Sequence, residues 1–248
     1  MIQDLHAHTY YSFCGKDRPE TVIEAAIAGG VECFGLCDHN YGIAGQRPGT
    51  RFASEDERCF DYQRSIDRYL DHLTLLRDKC ADKIRLLRGI EIATQNEDWL
   101  CLPESVSIAA FDYCLIEHID QPGSRAGDLF AFAERCGCGR VGIAHTDLPG
   151  YLTQSGVDVR AYFGEMAKRG IFWELNVNYD SIHGYREHGY VRRFFETPEL
   201  IEAVRESGLE ISVGFDGHRV EDYAPERVRA CCEALERAGV RIAMREVL

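Results

Sequence analysis

Two histidines separated by one small residue stand in the run DLHAH, close to the amino end of the sequence. Side chains alternate along a β-strand, so His6 and His8 would leave the same face and could converge on one metal ion. Leu5 and Ala7 would then face the other way, into packing. Two ordinary histidines would give the same pattern, and the rest of the chain has to decide between these interpretations.

Other potential metal ligands also follow short apolar runs that are typical of buried strands. They are His39 after CFGLC, Glu91 in IRLLRGIEI, His118 after DYCLIE, His145 after RVGIA, and Asp216 with His218 after EISVGF. Six of the nine histidines fall at such positions, which chance would rarely arrange. Each position alone has an ordinary explanation, such as a helix cap at Asp216 or a buried histidine at His145. Their joint placement predicts a metal site.

Alternating strands and helices are needed to bring these positions together. Apolar patterns predict strands at 1–8, 33–37, 84–92, 112–116, 140–144, 171–177 and 210–215, with a short last strand at 240–244. Helices are predicted at 19–29, 61–82, 128–136, 157–168, 198–207 and 225–238, with loops at 41–57 and after the sixth strand. This order predicts a parallel α/β fold, and seven or eight units favour a closed TIM-like barrel whose strand ends share one face.

The composition predicts one globular domain over residues 1–248, because no linker, repeat or low-complexity tract divides the sequence. No apolar run approaches the ~18 residues of a membrane helix, and no signal-peptide pattern precedes the first predicted strand. We therefore expect a cytoplasmic protein without a membrane partner, whose eleven cysteines are reduced thiols. A net charge of -13 argues against long nucleic acids as ligands and favours a small substrate.

The number of candidate ligands predicts more than one ion. Six imidazoles and two carboxylates exceed the three or four protein ligands of a single catalytic metal, so two or three divalent ions are expected. Glu91, a carboxylate among imidazoles, is suited to bridge two of them. A hydroxide held between the cations would be the nucleophile, because metal-bound water loses its proton near neutral pH.

Six motifs resemble, in order and spacing, those of the PHP (polymerase and histidinol phosphatase) superfamily: DLHAHT, CDHN, GIEIA, IEHID, AHTD and GFDGH. The resemblance spans the whole chain and implies a single PHP domain with a distorted (β/α)7 barrel. It also implies a trinuclear zinc, manganese or iron centre. Within the superfamily, the chain is most similar to the stand-alone histidinol phosphatase and phosphoesterase branch.

The resemblance implies which side chains hold each ion. His6, His8, Glu91 and Asp216 would bind one ion, Glu91, His118 and His145 a second, and His39 and His218 a third. Many relatives complete the third site with a histidine from the loop after the first strand, where this chain has Cys14, Lys16 and Asp17. We predict that Asp17 completes it, because oxygen ligands suit manganese and iron, with Cys14 as the alternative for zinc. Glu91, Asp216 and His218 are the predicted catalytic residues.

Cations clustered on an acidic protein attract an anionic substrate and polarise its phosphoryl oxygens, which predicts a phosphomonoesterase. Histidinol phosphate is the leading substrate because of the resemblance alone. The candidate phosphate-binding residues are Lys16, Arg51, Arg125, Arg186 and Arg219. A nucleotide phosphatase, or an amide or lactone hydrolase, would use the same metals. A binding module without turnover is a further alternative, although a scaffold would not require so many costly polar groups at one barrel mouth.

Overall fold

The strands and helices alternate along the computed structural model, which describes residues 1–245. The strands are β1 (Gln3–Asp4), β2 (Cys33–Leu36), β3 (Arg85–Ile92), β4 (Tyr113–Ile116), β5 (Val141–Ile143), β6 (Ile171–Asn176) and β7 (Ile211–Gly214). The helices are α1 (Pro19–Ala28), α2 (Asn40–Ile43), α3 (Glu55–Cys80), α4 (Leu129–Cys136), α5 (Leu148–Gln154), α6 (Val159–Lys168), α7 (Gly189–Glu196), α8 (Pro198–Ser207) and α9 (Pro225–Arg237). None of the helices within this range is both long enough and apolar enough to cross a bilayer.

The seven strands form one parallel sheet in sequence order, from β1 to β7. The two edge strands also meet, since the Leu5 N–H donates to the Val213 carbonyl at 2.9 Å. Further along, Ala7 forms a parallel bridge with Gly217. The sheet is thereby nearly closed into a barrel with the helices outside, so the predicted TIM-like α/β fold is confirmed.

Some predicted elements differ from the structure. The last predicted strand, 240–244, is reduced to a single bridge between Ile211 and Ile242. Helix α3 begins at Glu55, six residues before the predicted start, because Ser54 accepts a hydrogen bond from the Glu57 N–H at 3.1 Å. Helices α2 and α7 lie in segments that were predicted to be loops, and α5 was not predicted. These helices have four, eight and seven residues, which is too short for a clear apolar period.

A buried tyrosine fills the barrel at the amino end of β4. The Tyr113 hydroxyl donates to the Leu5 carbonyl at 2.5 Å and so joins strands on opposite sides of the barrel. Gly89 allows this close approach, since a Cβ there would lie 2.4 Å from Tyr113 Cζ. The interior is thus packed rather than open, and only the carboxyl ends of the strands are left to form a site.

An aromatic cluster packs between the barrel and the outer helices. Trp173 on β6 is completely buried, with ring centroids 6.0 Å from Phe163 and 5.8 Å from both Tyr190 and Phe194. Its indole N–H donates to the Thr146 carbonyl at 2.9 Å. This contact fixes the loop that follows β5, which carries one of the candidate ligands.

Candidate metal centre

Glu91 lies at the centre of the barrel mouth. It is completely buried on β3, and its two oxygens lie near imidazole nitrogens from three other strand ends. Oε1 is 3.3 Å from His6 and 3.2 Å from His145, while Oε2 is 2.9 Å from His39 and 3.4 Å from His8. The predicted bridging residue therefore touches four of the predicted ligands at once.

Asp216 and His218 approach the same cluster from the end of β7. Asp216 Oδ1 lies 3.1 Å from His8 Nε2, 3.5 Å from His6 Nε2 and 3.7 Å from His218 Nε2. The donor atoms of His6, His8 and Asp216 all lie within 4.8 Å of one another. Such spacing allows one cation to contact all three.

Glu117 is a member of the cluster that sequence reasoning missed. This buried carboxylate lies 3.5 Å from His39 Nδ1, 3.0 Å from His118 Nε2 and 3.9 Å from His145 Nε2. Because adjacent residues of a strand face opposite ways, choosing His118 implied that Glu117 points elsewhere. The chain leaves the extended conformation at His118, however, and both side chains turn into the barrel mouth. The available signal was an ionisable residue placed directly after four buried apolar ones.

Three candidate ligands have left-handed backbone conformations. The φ angles are 58° at His118, 25° at His145 and 57° at Asp216, and these residues follow β4, β5 and β7. L-residues rarely adopt such angles, which cost of order 1–3 kcal/mol each. Each of these side chains contacts another member of the cluster: His118 lies 3.0 Å from Glu117, His145 3.2 Å from Glu91, and Asp216 3.1 Å from His8.

The charges of the cluster stabilise one another. Burial alone would raise the pKa of the Glu91 carboxyl, but His6 and His39 hold it well below its usual range. Burial alone would lower the pKa of His6, yet Glu174 and Glu91 raise it well above its usual value. Burial alone would lower the pKa of His145, but the hydrogen bond that Glu91 accepts from its ring and the Glu91 charge raise it to about 9. A cation that binds here therefore has to displace protons from imidazoles.

The donor atoms fit a divalent metal. His39 Nδ1, Glu91 Oε2 and Glu117 Oε1 are buried without a hydrogen-bond partner in the described part of the chain. His39 Nδ1 and Glu91 Oε2 are only 2.9 Å apart, but they do not have the geometry of a hydrogen bond. Buried polar atoms nearly always have partners, and one cation would supply a partner to all three. Imidazole and carboxylate donors suit zinc, manganese and iron.

Glu174 supports the cluster from inside β6. Its Oε1 lies 2.8 Å from His6 Nδ1, while Oε2 accepts hydrogen bonds from the His145 N–H at 2.7 Å and from Asn176 Nδ2 at 3.2 Å. With its Nδ1 engaged, His6 presents Nε2 to Glu91. Glu174 was not predicted as a site residue, because it lies within a strand and not at its end.

Asp180 supports His218 in the same way. Its buried carboxylate lies 3.1 Å from His218 Nδ1 and 2.8 Å from His183 Nδ1. Burial would lower the pKa of His218, but Asp216 and Asp180 raise it to about 10. The other candidates were selected because they directly follow a predicted strand. Neither Asp180 nor His183 does so, and both were therefore missed.

The loop after β1 carries Cys14 and Asp17, the two residues predicted to complete the third ion site. The Asp17 carboxylate accepts a hydrogen bond from the Val220 N–H at 2.8 Å. Cys14 Sγ lies instead within 4.8 Å of donor atoms of His8 and His39. Whether Asp17 or Cys14 completes a third site therefore stays a prediction, and the distances favour Cys14.

The sequence matches the family model described as the PHP domain over residues 4–219. The chain belongs to the PHP family. This PHP chain is similar in structure to the Lactococcus lactis histidinol phosphate phosphatase complexed with zinc, L-histidinol and phosphate, at a TM-score of 0.60 and 16% identity. That match covers 97% of this chain and 95% of the other. A Listeria monocytogenes protein assigned as a histidinol phosphatase matches at a TM-score of 0.52 and 16% identity, over 90% and 97% of the two chains. Among curated proteins, none matches the sequence.

The five predicted phosphate-binding residues differ in exposure and in their partners. Lys16, Arg51 and Arg186 are exposed, and Arg219 lies 3.4 Å from Glu221. The guanidinium of Arg125 is held by Asn96 at 2.9 Å and by Asp98 at 2.8 Å. Arg125 and Arg219 thus lie beside acidic side chains, and the phosphate-binding role of the five residues stays a prediction.

A cavity of about 690 Å³ is lined by Arg125 together with Arg47 and Trp99. The Trp99 ring lies edge-on to Tyr41 at 5.3 Å, and Tyr41 stacks on His39 at 4.9 Å. Trp99 and Tyr41 therefore link the wall of the cavity to His39, a candidate ligand. Sequence reasoning did not select Arg47, which lies in a loop with no periodic pattern.

Replacing Glu174 with glutamine is expected to weaken zinc binding by the PHP centre roughly 10–100-fold, as is typical for residues that orient a metal ligand. Glutamine keeps the shape but has one acceptor oxygen, so either His6 or the His145 N–H would face an amide group. Competition with a chromophoric chelator measures the change in affinity. Glu202→Gln removes an exposed carboxylate that pairs with Arg160 at 3.2 Å, and this control should bind zinc like the wild type. Equal affinities for wild type and Glu174→Gln would contradict the orienting role.

Proposed function

We propose that the protein is a metal-dependent phosphomonoesterase that hydrolyses a small phosphate ester. The observation that carries this proposal is the group of unpartnered buried donor atoms around Glu91, to which His39 and Glu117 contribute. A carboxylate and imidazole cluster of this kind is costly to bury without a cation. Membership of the PHP family supports the same conclusion.

The side chains described above divide into groups that would hold two or three ions. The groups whose donor atoms lie within 4.8 Å of one another are His6, His8 and Asp216; His39, Glu91 and Glu117; and His8, Cys14 and His39, with His118 and His145 beside Glu117. When bound, divalent ions at such a centre polarise a phosphoryl oxygen and activate a water near neutral pH. The contribution of the protein is to fix the ligands, through Glu174 behind His6 and Asp180 behind His218.

A small phosphorylated substrate suits the surroundings of this centre. The net charge of -13 disfavours a polyanionic chain, whereas Arg47 and Arg125 line a cavity large enough for a metabolite. The similar Lactococcus lactis enzyme is complexed with histidinol and phosphate. We therefore propose histidinol phosphate as the first substrate to test, followed by other small phosphate monoesters.

The deciding experiment combines metal analysis with turnover. Protein purified without chelator is expected to contain two to three ions of zinc, manganese or iron per chain. Hydrolysis of p-nitrophenyl phosphate should disappear after the metals are stripped and return after reloading, because the buried donors cannot activate water alone.

The other outcomes are equally informative. Bound metal with hydrolysis of amides or lactones, but not of phosphate esters, would replace the phosphatase by a carbonyl hydrolase that uses the same centre. Bound metal without turnover of either class would indicate a binding role. Absence of bound metal, even after incubation with each ion, would overturn the proposal.

A further inference from the structure

Backbone hydrogen bonds hold the loop that carries Cys14 in place. The Lys16 N–H donates to the His218 carbonyl at 3.0 Å, and the Tyr10 N–H donates to the Asp17 carbonyl at 2.9 Å. Gly15 allows the loop to lie close to β1, since a Cβ there would lie 2.1 Å from the Thr9 carbonyl oxygen. Cys14 therefore has a defined position beside the cluster.

The sulfur of Cys14 is surrounded by imidazoles. Its donor atom lies within 4.8 Å of those of His8 and His39. His8 and His39 are both buried, and their donor atoms form one group with the sulfur, whereas His39 Nδ1 faces Glu91 at 2.9 Å. A sulfur and nitrogen donor set differs from the oxygen-rich groups around Glu91 and Asp216.

We propose that Cys14 is a metal ligand, and that its thiolate, with His39 and an adjacent imidazole, forms a sulfur-containing cation site on the edge of the cluster. Binding would release the thiol proton to solvent and form a metal–sulfur bond. Thiolate and imidazole ligands select zinc over manganese or magnesium, so this site differs in metal preference from the rest of the centre. The inference rests on the metal centre of the proposed function, but it concerns the ligand and not the reaction.

Cobalt(II) provides a spectroscopic test that does not depend on activity. The wild-type protein loaded with cobalt is expected to show a thiolate-to-cobalt charge-transfer band in the near-ultraviolet, and Cys14→Ser is expected to lose it. Cys59→Ser is the matched control, because Cys59 lies on α3 beside Glu55 and should leave the band unchanged. Cys14→His separates loss of the sulfur ligand from misfolding. This variant offers an imidazole in the same place, so it should bind cobalt but lack the band.

Alkylation gives a second measurement on the unaltered protein. Zinc is expected to slow the reaction of Cys14 with iodoacetamide, followed by peptide mass spectrometry, because a coordinated thiolate is a poorer nucleophile. A cobalt-loaded, phosphatase-active protein without the band, or with the band intact in Cys14→Ser, would overturn the Cys14 assignment and leave the proposed function standing. Failure to bind cobalt or zinc at all would overturn both. Equal alkylation rates with and without bound zinc would also overturn the assignment.

Discussion

Glu91→Gln is expected to abolish metal-dependent hydrolysis, with a fall in kcat/KM larger than the roughly 10–100-fold loss typical of residues behind a ligand. Glu91 is the one carboxylate in the described structure that lies within 3.5 Å of four imidazoles. Glutamine would bring an amide group against nitrogens that now face an oxygen. It would also remove the charge that the cations and imidazoles require.

Metal content per chain and kcat/KM for p-nitrophenyl phosphate measure this effect together. Glu104→Gln, which changes an exposed carboxylate, should bind and turn over like the wild type. Glu91→Asp tests whether the variant has merely unfolded, since it retains the buried charge and should keep part of the bound metal. Full activity in Glu91→Gln would show that Glu91 has no part in the site.

Trp173→Ala should lower the free energy of unfolding by about 3–5 kcal/mol, the range for removing a buried large aromatic side chain. Trp173 packs on three aromatic rings and donates to the Thr146 carbonyl. Its removal would leave a cavity between β6 and the outer helices and an acceptor without its partner. For a chain of this size, the expected fall in Tm is roughly 6–20 °C.

Calorimetry or thermal circular dichroism of the metal-free protein measures this change without a contribution from bound ions. Trp99→Ala is the matched control, because Trp99 is the other tryptophan of the chain and is only partly buried. That substitution should cost about 1 kcal/mol, the usual effect of a single change. Similar Tm shifts in both variants would contradict the prediction that the aromatic cluster around Trp173 contributes strongly to the free energy of unfolding.

Sequence reasoning recovered the barrel because the strand pattern and the polar residue at each strand end agree with each other. His6, His39, Glu91 and His145 each follow an apolar run, and parallel strands necessarily bring such positions to one face. Helix α8 has the predicted bounds, since Pro198 opens it and Gly208 follows it in a left-handed conformation. These features depend on local sequence and can be predicted from it.

The missed residues depend on contacts between distant segments. Glu174 is recognised only when His6 lies 2.8 Å away, although 168 positions separate them in the sequence. Glu117 is hidden by a backbone bend that the alternation rule does not foresee. Asp17 was chosen for its oxygen atoms, and the hydrogen bond that its carboxylate accepts from the Val220 N–H, 203 positions away, could not be read from the sequence. Proximity along the chain says little about side-chain direction in such a loop.

The left-handed angles at His118, His145 and Asp216 bear on how this protein could be stabilised by engineering. Glycine or asparagine occupies such conformations with less strain, so selection for heat resistance alone would favour them at these three positions. The same replacements would delete candidate ligands. A substitution that raises thermal stability at one of these positions would therefore lower activity. In a library of variants selected for thermal stability alone, we expect the candidate ligands at the barrel mouth to be replaced first.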